Sequence, residues 1–224
     1  MLSDIKYTSN SRSDIFCHLK DVRGSCLEIG SGDGMFARAI LNKFPVDLYH
    51  AFEPAGTHEK RDPDGRLVVF ESYFTESNFV YDFIFLNDVL EHMEDPSHFL
   101  EKLQINLHRN SQIVISVPNF RNIQIITRLL FGNLRYEDVG IMDKTHLRIF
   151  TRPIAMDVLN KCGYEVQLLK TINRDLYIPT PSMKERFFYR ALSRCFHILV
   201  PDLFYLQLLI IAKPKDLLKV SNIT

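Results

Sequence analysis

Apolar positions in this chain fall into short runs of strand length, divided by polar stretches and by segments with helical spacing. The first run ends at Ile29, and a loop with glycines at Gly30, Gly32 and Gly34 follows at once. Phe36, Ala37, Ile40, Leu41 and Phe44 then recur at helical spacing, so the stretch reads as strand, tight turn and helix. Glycines suit such a turn because a buried strand must reverse over few residues, and because a ligand against the loop backbone leaves no room for a Cβ.

The rest of the pattern repeats this alternation. Residues 47 to 54 read as a second strand ended by Pro54, 66 to 72 as a third, and 81 to 96 as a fourth strand with its exit. The β-branched run 111 to 119 gives a fifth, 164 to 170 a sixth, and the apolar run 203 to 212 the last. A short helix is expected within 12 to 20, carrying Ile15, Phe16 and Leu19. Another follows Asp95-Pro96, a cap and first-turn pair, and a third starts at Thr151 and Pro153 and ends at Gly163. The polar stretch 56 to 65 contains Pro and Gly and predicts an abbreviated crossover.

Two segments exceed a minimal α/β unit. Residues 120 to 150 are too apolar for a solvated loop, with Ile123, Ile126, Leu129 and Leu130 at helical spacing, and a lid over a substrate is the expected use. Residues 172 to 202 form a second insertion that includes the basic amphipathic stretch 184 to 199. The expectation is a single α/β domain over 1 to 224, elaborated by both insertions.

Composition narrows the function. A length of 224 residues suits one domain, and 46% hydrophobic content supplies a sizeable core. Lys+Arg 27 against Asp+Glu 27 gives a net charge of +0, without the global basic field that drives nucleic-acid binding, so that partner class is disfavoured. Cys17, Cys26, Cys162 and Cys195 are far apart without a C-x-x-C pair, the pattern of reduced packing residues in a cytoplasmic protein. The polar N-terminus lacks the apolar core of a signal peptide, and no stretch is long enough to span a bilayer.

The acids around the glycine loop decide what it binds. A dinucleotide loop offers helix-terminal N–H groups to a pyrophosphate, which an acid would repel. Here Glu28 precedes the first glycine by two residues and Asp33 lies inside the loop, so the site suits a ligand with a cationic end. S-adenosylmethionine fits, with an ammonium and a sulfonium; a purely structural turn and an unusual dinucleotide site are the alternatives. At this point the chain resembles the class I S-adenosylmethionine-dependent methyltransferases, whose first motif is E/D-x-G-x-G-x-G. Glu53 ends the second strand at the distance from the loop where an acid accepts ribose hydroxyls.

The resemblance implies a Rossmann-like seven-stranded mixed sheet, order 3-2-1-4-5-7-6 with strand seven antiparallel, and helices on both faces. It implies cofactor contacts from Glu28, Gly30, Ser31, Gly32, Gly34, Glu53, Pro54, Glu71, Ser72 and Asn87, with Arg12 near the cofactor carboxylate. Val89-Leu90-Glu91-His92 resembles a pattern of small-molecule methyltransferases. The stretch from Pro118 through Asp143-Lys144-Thr145-His146 to Thr151 resembles bacterial methyltransferases of O-antigen, capsule and other polysaccharide assembly.

Methyl transfer is an in-line displacement, so the protein must align the nucleophile and exclude water, and a hydroxyl acceptor must also lose a proton. His92 and His146 are the candidate bases, with Asp88 as a substitute. Asp88, Glu91, His92 and His146 are expected to converge on the reactive methyl, Asp88 and His92 through a shared helical face. The set also resembles the D/E-x-x-E-H cluster that holds a divalent ion in some ubiquinone-type O-methyltransferases, and the two-acid, two-histidine site of RNA 3′-end methyltransferases. A metal-free histidine base is nevertheless the preferred reading. Arg121, Arg128 and Arg135 recur every seven residues, read first as a solvated face and second as a diphosphate site. The segment 184 to 199 reads first as a cap on its own domain and second as a peripheral membrane contact. The expected activity is O-methylation of a sugar hydroxyl or related small molecule; an RNA-end or other macromolecular methyltransferase and a noncatalytic cofactor-binding protein are the alternatives.

Overall fold

The structure, a computed structural model, describes residues 12–55, 64–75, 77–174 and 200–215. In chain order these form α1 (Ser13–Phe16), β1 (Gly24–Ile29), α2 (Met35–Lys43), β2 (Val46–Phe52), β3 (Leu67–Phe70), β4 (Tyr81–Asn87), α3 (Pro96–Leu103), β5 (Leu107–Pro118), α4 (Ile123–Leu130), α5 (Arg152–Lys161), β6 (Tyr164–Arg174) and β7 (Tyr205–Pro214). Among the described residues the strands make one seven-stranded sheet of order β3-β2-β1-β4-β5-β7-β6. β7 runs antiparallel to β5 and β6, and the other pairs are parallel. This is the order and orientation that the family resemblance implied.

Alternation along the central strands explains why the sheet is covered on both faces. Phe83 and Phe85 of β4 join Ile15, Phe36, Ile40 and Tyr49 in a core on the side of α1 and α2. Ile84 and Leu86 join Leu100, Leu103, Leu159 and Tyr164 in a second core on the side of α3 and α5. The Asp95 side chain accepts the His98 N–H at 2.9 Å with Pro96 opening α3, and Gly163 takes φ +79 after α5, so both expected helix signals operate.

Several boundaries differ from expectation. β5 begins at Leu107, ahead of the apolar run, because its pairing with β4 continues through an irregularity between Tyr81 and Phe83. β6 extends to Arg174, into the segment assigned to the second insertion, because β7 pairs with it as far as Tyr205. α4 buries Ile125, whereas Leu129 and Leu130 are 54% and 77% exposed, so the helix turns part of its apolar surface outward. It also stops at Leu130, so Arg121, Arg128 and Arg135 do not share one helix. The chain leaves β4 through a 3₁₀ turn at Leu90–His92 instead of an α-helical turn. The abbreviated crossover over 56–63, the stretch 184–199 and Cys195 lie outside the described residues.

The apolar insertion leaves and returns at one place. Asn119 and Phe150 form a parallel bridge, and the Phe120 N–H donates to the Phe150 carbonyl at 2.9 Å. The Asn119 amide donates to the carbonyls of Asp202 and Tyr205 at 2.6 and 3.0 Å, tying this neck to the start of β7. The excursion is thereby held beside the C-terminal ends of β4 and β5. Among the described residues no helix is long and apolar enough to cross a membrane.

Candidate active site

Where β1 gives way to α2, the glycine loop turns through φ +74 at Gly30, +53 at Gly32 and +69 at Gly34, backbone that side-chain-bearing residues rarely adopt. The loop is tied down from β2: Gly30 and Ser31 donate N–H groups to the Phe52 carbonyl at 2.9 and 3.3 Å. One oxygen of Glu53 accepts the Gly32 N–H at 2.9 Å and the other accepts the Ala55 N–H at 3.0 Å. A Cβ at Gly32 would meet nothing within 4 Å, so the backbone there borders open space.

That space is a cleft of about 360 Å³, lined by Glu28, Gly30, Ser31, Gly32 and Asp33 from the first strand and its loop and by Asn87, Asp88 and His92 beyond β4. The size falls within the roughly 300–1,000 Å³ of small-ligand pockets. The Ser31 hydroxyl is buried without a hydrogen-bond partner among the described residues, and the buried Asn87 amide lies against the Glu28 carboxyl. Unsatisfied polar groups facing a cleft are what a polar ligand would complete. Glu28, 2% exposed, is held by the Tyr49 hydroxyl, which donates to it at 3.0 Å. Burial pushes its carboxyl up to about 8, against the opposing pull of Tyr49, of the neighbouring Asn87 amide and of Arg12. A ligand bringing positive charge beside it would favour the ionised form. Glycine cradle, unpartnered Ser31 hydroxyl and buried acid together fit S-adenosylmethionine.

Arg12 sits at the N-terminal end of α1 and reaches into the same cleft. Its guanidinium donates to Asp88 at 2.6 Å, to the Gln207 carbonyl at 2.8 Å and to the Ser116 hydroxyl at 3.1 Å. Gln207 returns a bond from its amide nitrogen to Asp88 at 2.6 Å and accepts one from Asn173 at 2.7 Å. Asp88 therefore has both carboxylate oxygens engaged, and its backbone takes φ +55. Pro54, Glu71 and Ser72 lie past the ends of β2 and β3, outside the lining of this cleft, as does Glu53.

A second cavity of about 180 Å³ adjoins the first. The two share Asp88, His92, Asn173 and Gln207, and the second adds Glu91 and His146 with the apolar walls Pro118, Ile141 and Leu206. His92 and His146 meet with ring centroids 4.9 Å apart. One ligand atom from each of Glu91, His92 and His146 lies within 4.8 Å of the others. The structure thus brings Glu91, His92 and His146 together, whereas the Asp88 carboxylate is bound into the Arg12 and Gln207 network.

Local bonds explain how His146 comes to this point from so far along the chain. Asp143 accepts both the Thr145 N–H and the Thr145 hydroxyl, at 2.8 and 2.7 Å, fixing the turn that carries His146. Leu147 and Arg148 then donate N–H groups to the Glu91 carbonyl at 2.7 and 3.0 Å. Each imidazole uses Nδ1 on a backbone carbonyl, His92 on Thr145 at 3.2 Å and His146 on Ile141 at 3.0 Å. A carbonyl only accepts, so Nδ1 carries the proton in both rings and a neutral ring keeps a lone pair on Nε2. Burial and the neighbouring His146 hold the His92 pKa below its ordinary value. The Glu91 carboxyl is fully buried, both oxygens lack a partner among the described residues, and burial with the Asp88 charge pushes it up to about 9.

Sequence reading did not single out Gln207 and Asn173. Both enter through the pairing of β7 with β6 and β5, which no local pattern announces. Asp143 had a readable signal, an acid two residues before Thr145, the form of a side-chain-capped turn.

Comparison with known proteins completes the assignment. The chain resembles a SAM-dependent methyltransferase from Archaeoglobus fulgidus, with TM-score 0.57 and 16% identity over 88% of this chain and 89% of that one. An S-adenosylmethionine-dependent methyltransferase from Mesorhizobium loti gives 0.58 and 13%, covering 89% and 95%. The small RNA methyltransferase HEN1 gives 0.58 and 14%, covering 93% of this chain and 26% of that one. At these identities the likeness is one of fold. No curated protein matches the chain in sequence. A family model described as a methyltransferase domain matches residues 11–169, well over half of the 224. The chain belongs to this methyltransferase domain family, with S-adenosylmethionine as its cofactor.

Proposed function

We propose that the protein is an O-methyltransferase that acts on a hydroxyl of a sugar or related small molecule. The observation that carries this reading is the second cavity: it is small, has apolar walls, adjoins the cofactor cleft, and shares His92 with it. When bound, S-adenosylmethionine supplies a methyl on a sulfonium, an electrophile that passes to the acceptor oxygen as the carbon–sulfur pair returns to sulfur. Arg12, Asn87 and the glycine loop hold and orient the cofactor in this reading, with Glu53 at the ribose. His92 Nε2 accepts the hydroxyl proton, while the segment 120–150 covers the acceptor and excludes water. Asp88 positions Arg12 and Gln207 and is too heavily bonded to serve as the base.

A role in surface polysaccharide assembly rests on the resemblance of the stretch from Pro118 to Thr151, and a cytoplasmic, single-domain protein is part of the same reading. Transfer of labelled methyl to nucleotide sugars and glycans, measured beside RNA 3′ ends, tests it. Transfer to RNA alone would overturn it in favour of a macromolecular methyltransferase, the class to which HEN1 belongs.

The unpartnered Glu91 carboxylate favours a second reading, in which Glu91, His92 and His146 hold a divalent ion. Nδ1 bonds to carbonyls fix ring orientation as they do around ligating histidines. Mixed nitrogen and oxygen donors suit Mn²⁺, Zn²⁺ or Fe²⁺, and such an ion would polarise the acceptor oxygen. Full turnover in the presence of a chelator would refute this second reading.

A further inference from the structure

The acceptor cavity has a distinct count of hydrogen-bonding groups. Two imidazoles line it, each with Nδ1 committed to a backbone carbonyl of the 120–150 segment and each left with an accepting Nε2. Beside them the buried Glu91 carboxyl has no partner among the described residues. Asp88, Asn173 and Gln207 also line it but are bonded to one another and to Arg12, and Pro118, Ile141 and Leu206 add apolar surface. His92 is exposed and His146 half-buried, so water meets both rings until an acceptor fills the cavity, and an acceptor with a single hydroxyl then replaces only one of the two hydrogen bonds it displaces. The two rings also differ in place: His92 lines both the cofactor cleft and the acceptor cavity, whereas His146 lines only the latter.

We propose that the acceptor carries two adjacent hydroxyls, of which His92 deprotonates the one that is methylated and His146 anchors the other. His146 is thus a specificity-determining contact and not a second base. Adjacent hydroxyls suit the pair because the two rings are close neighbours, with centroids 4.9 Å apart, so oxygens on neighbouring carbons can each meet one of them. The inference rests on the hydroxyl reading of the site and on imidazoles free of metal.

The test uses the full-length protein with chelator present. The probes are methyl hexopyranosides with adjacent hydroxyls, each beside its singly deoxygenated counterparts. Binding is measured by calorimetry on protein saturated with S-adenosylhomocysteine, and transfer is measured with labelled S-adenosylmethionine. A preferred diol should bind at least about tenfold more tightly than either deoxy form, since a site built around hydroxyls rejects analogues that lack them. Removing the hydroxyl at His92 should abolish transfer, whereas removing the one at His146 should weaken binding and leave transfer measurable. His146→Ala should weaken the diol about tenfold and leave the deoxy form that lacks the anchoring hydroxyl unaffected, as a shared interaction requires.

Equal binding of diol and deoxy forms overturns the inference while leaving hydroxyl methylation intact. So does a His146→Ala variant that weakens both alike, the mark of a structural defect. Loss of the preference in chelator, with recovery on adding Mn²⁺, assigns it to an ion and overturns direct recognition by imidazole. No transfer to any hydroxyl compound by protein that binds cofactor normally removes the hydroxyl reading itself.

Discussion

Replacing Glu28 by Gln tests whether a buried acid beneath the cofactor cleft is uncharged until the cofactor arrives. The folded protein raises this carboxyl from 4.5 to about 8, chiefly by burial. Below the lower value both folded and unfolded chains hold the proton. Between the two values the folded chain keeps it while the unfolded chain has lost it, so stability falls as pH rises through this window. At about 1.4 kcal/mol per unit, full ionisation in the fold costs on the order of 5 kcal/mol, and the loss between about pH 6 and pH 8.5 is about 2–3 kcal/mol. Gln resembles the protonated acid and can still accept the Tyr49 hydroxyl, so the variant should keep its fold and lose this share of the pH dependence. Urea unfolding of cofactor-free protein across that range checks the difference, with other titrating groups cancelling between the two proteins. Parallel stability profiles for wild type and Glu28→Gln would refute the reasoning. Because the cofactor's cationic end favours the carboxylate, binding near neutral pH should also release a proton. Calorimetry in two buffers of different ionisation enthalpy should detect it for wild type and not for the variant.

Three further outcomes are expected. Glu53→Ala removes the carboxylate that accepts the Gly32 and Ala55 N–H groups, and should weaken cofactor binding by at least about 1 kcal/mol in a titration; unchanged affinity would displace Glu53 from the site. Gln207→Met keeps the side-chain length but takes one donor from Asp88 and an acceptor from Arg12 and Asn173, and should cost about 1–2 kcal/mol in cofactor affinity, with thermal unfolding showing a smaller effect. A wild-type cofactor affinity there would show that the network only supports the fold. Residues 120–150 should gain hydrogen-exchange protection when cofactor and acceptor are both present, and identical protection without them would reduce the segment to static packing.

What could be read directly was what depends on neighbours in the chain. The strand, glycine loop and helix through Phe44 are fixed by residues within one short stretch, and Asp95 caps α3 from the adjacent position. Both follow rules of local backbone geometry, and both appear where expected. His146 was reachable only through motif resemblance, because its approach to His92 depends on bonds from Leu147 and Arg148 to the Glu91 carbonyl. The outward face of α4 was not readable at all: helical spacing identifies an apolar stripe but does not say whether anything covers it, and here Leu129 and Leu130 remain exposed.

Asp88 shows the same limit within the site itself. Its spacing of four from His92 suggested one face of a helix, yet the chain there is a strand end followed by a 3₁₀ turn, and Asp88 occupies left-handed backbone at φ +55. Aspartate tolerates that region better than most residues, but still at a cost, so an arrangement of this kind persists where its surroundings over-determine it. The surroundings are Arg12, 76 positions earlier, and Gln207, 119 positions later, each 2.6 Å from the carboxylate. The bond from Gln207 exists only because β7 inserts antiparallel between β5 and β6, placing it opposite Pro118 and Ile172. The wall shared by the two cavities is therefore a product of sheet topology. An acid at the right distance from a histidine is legible in a sequence, but whether it titrates or is held as a strut depends on partners that only the fold supplies.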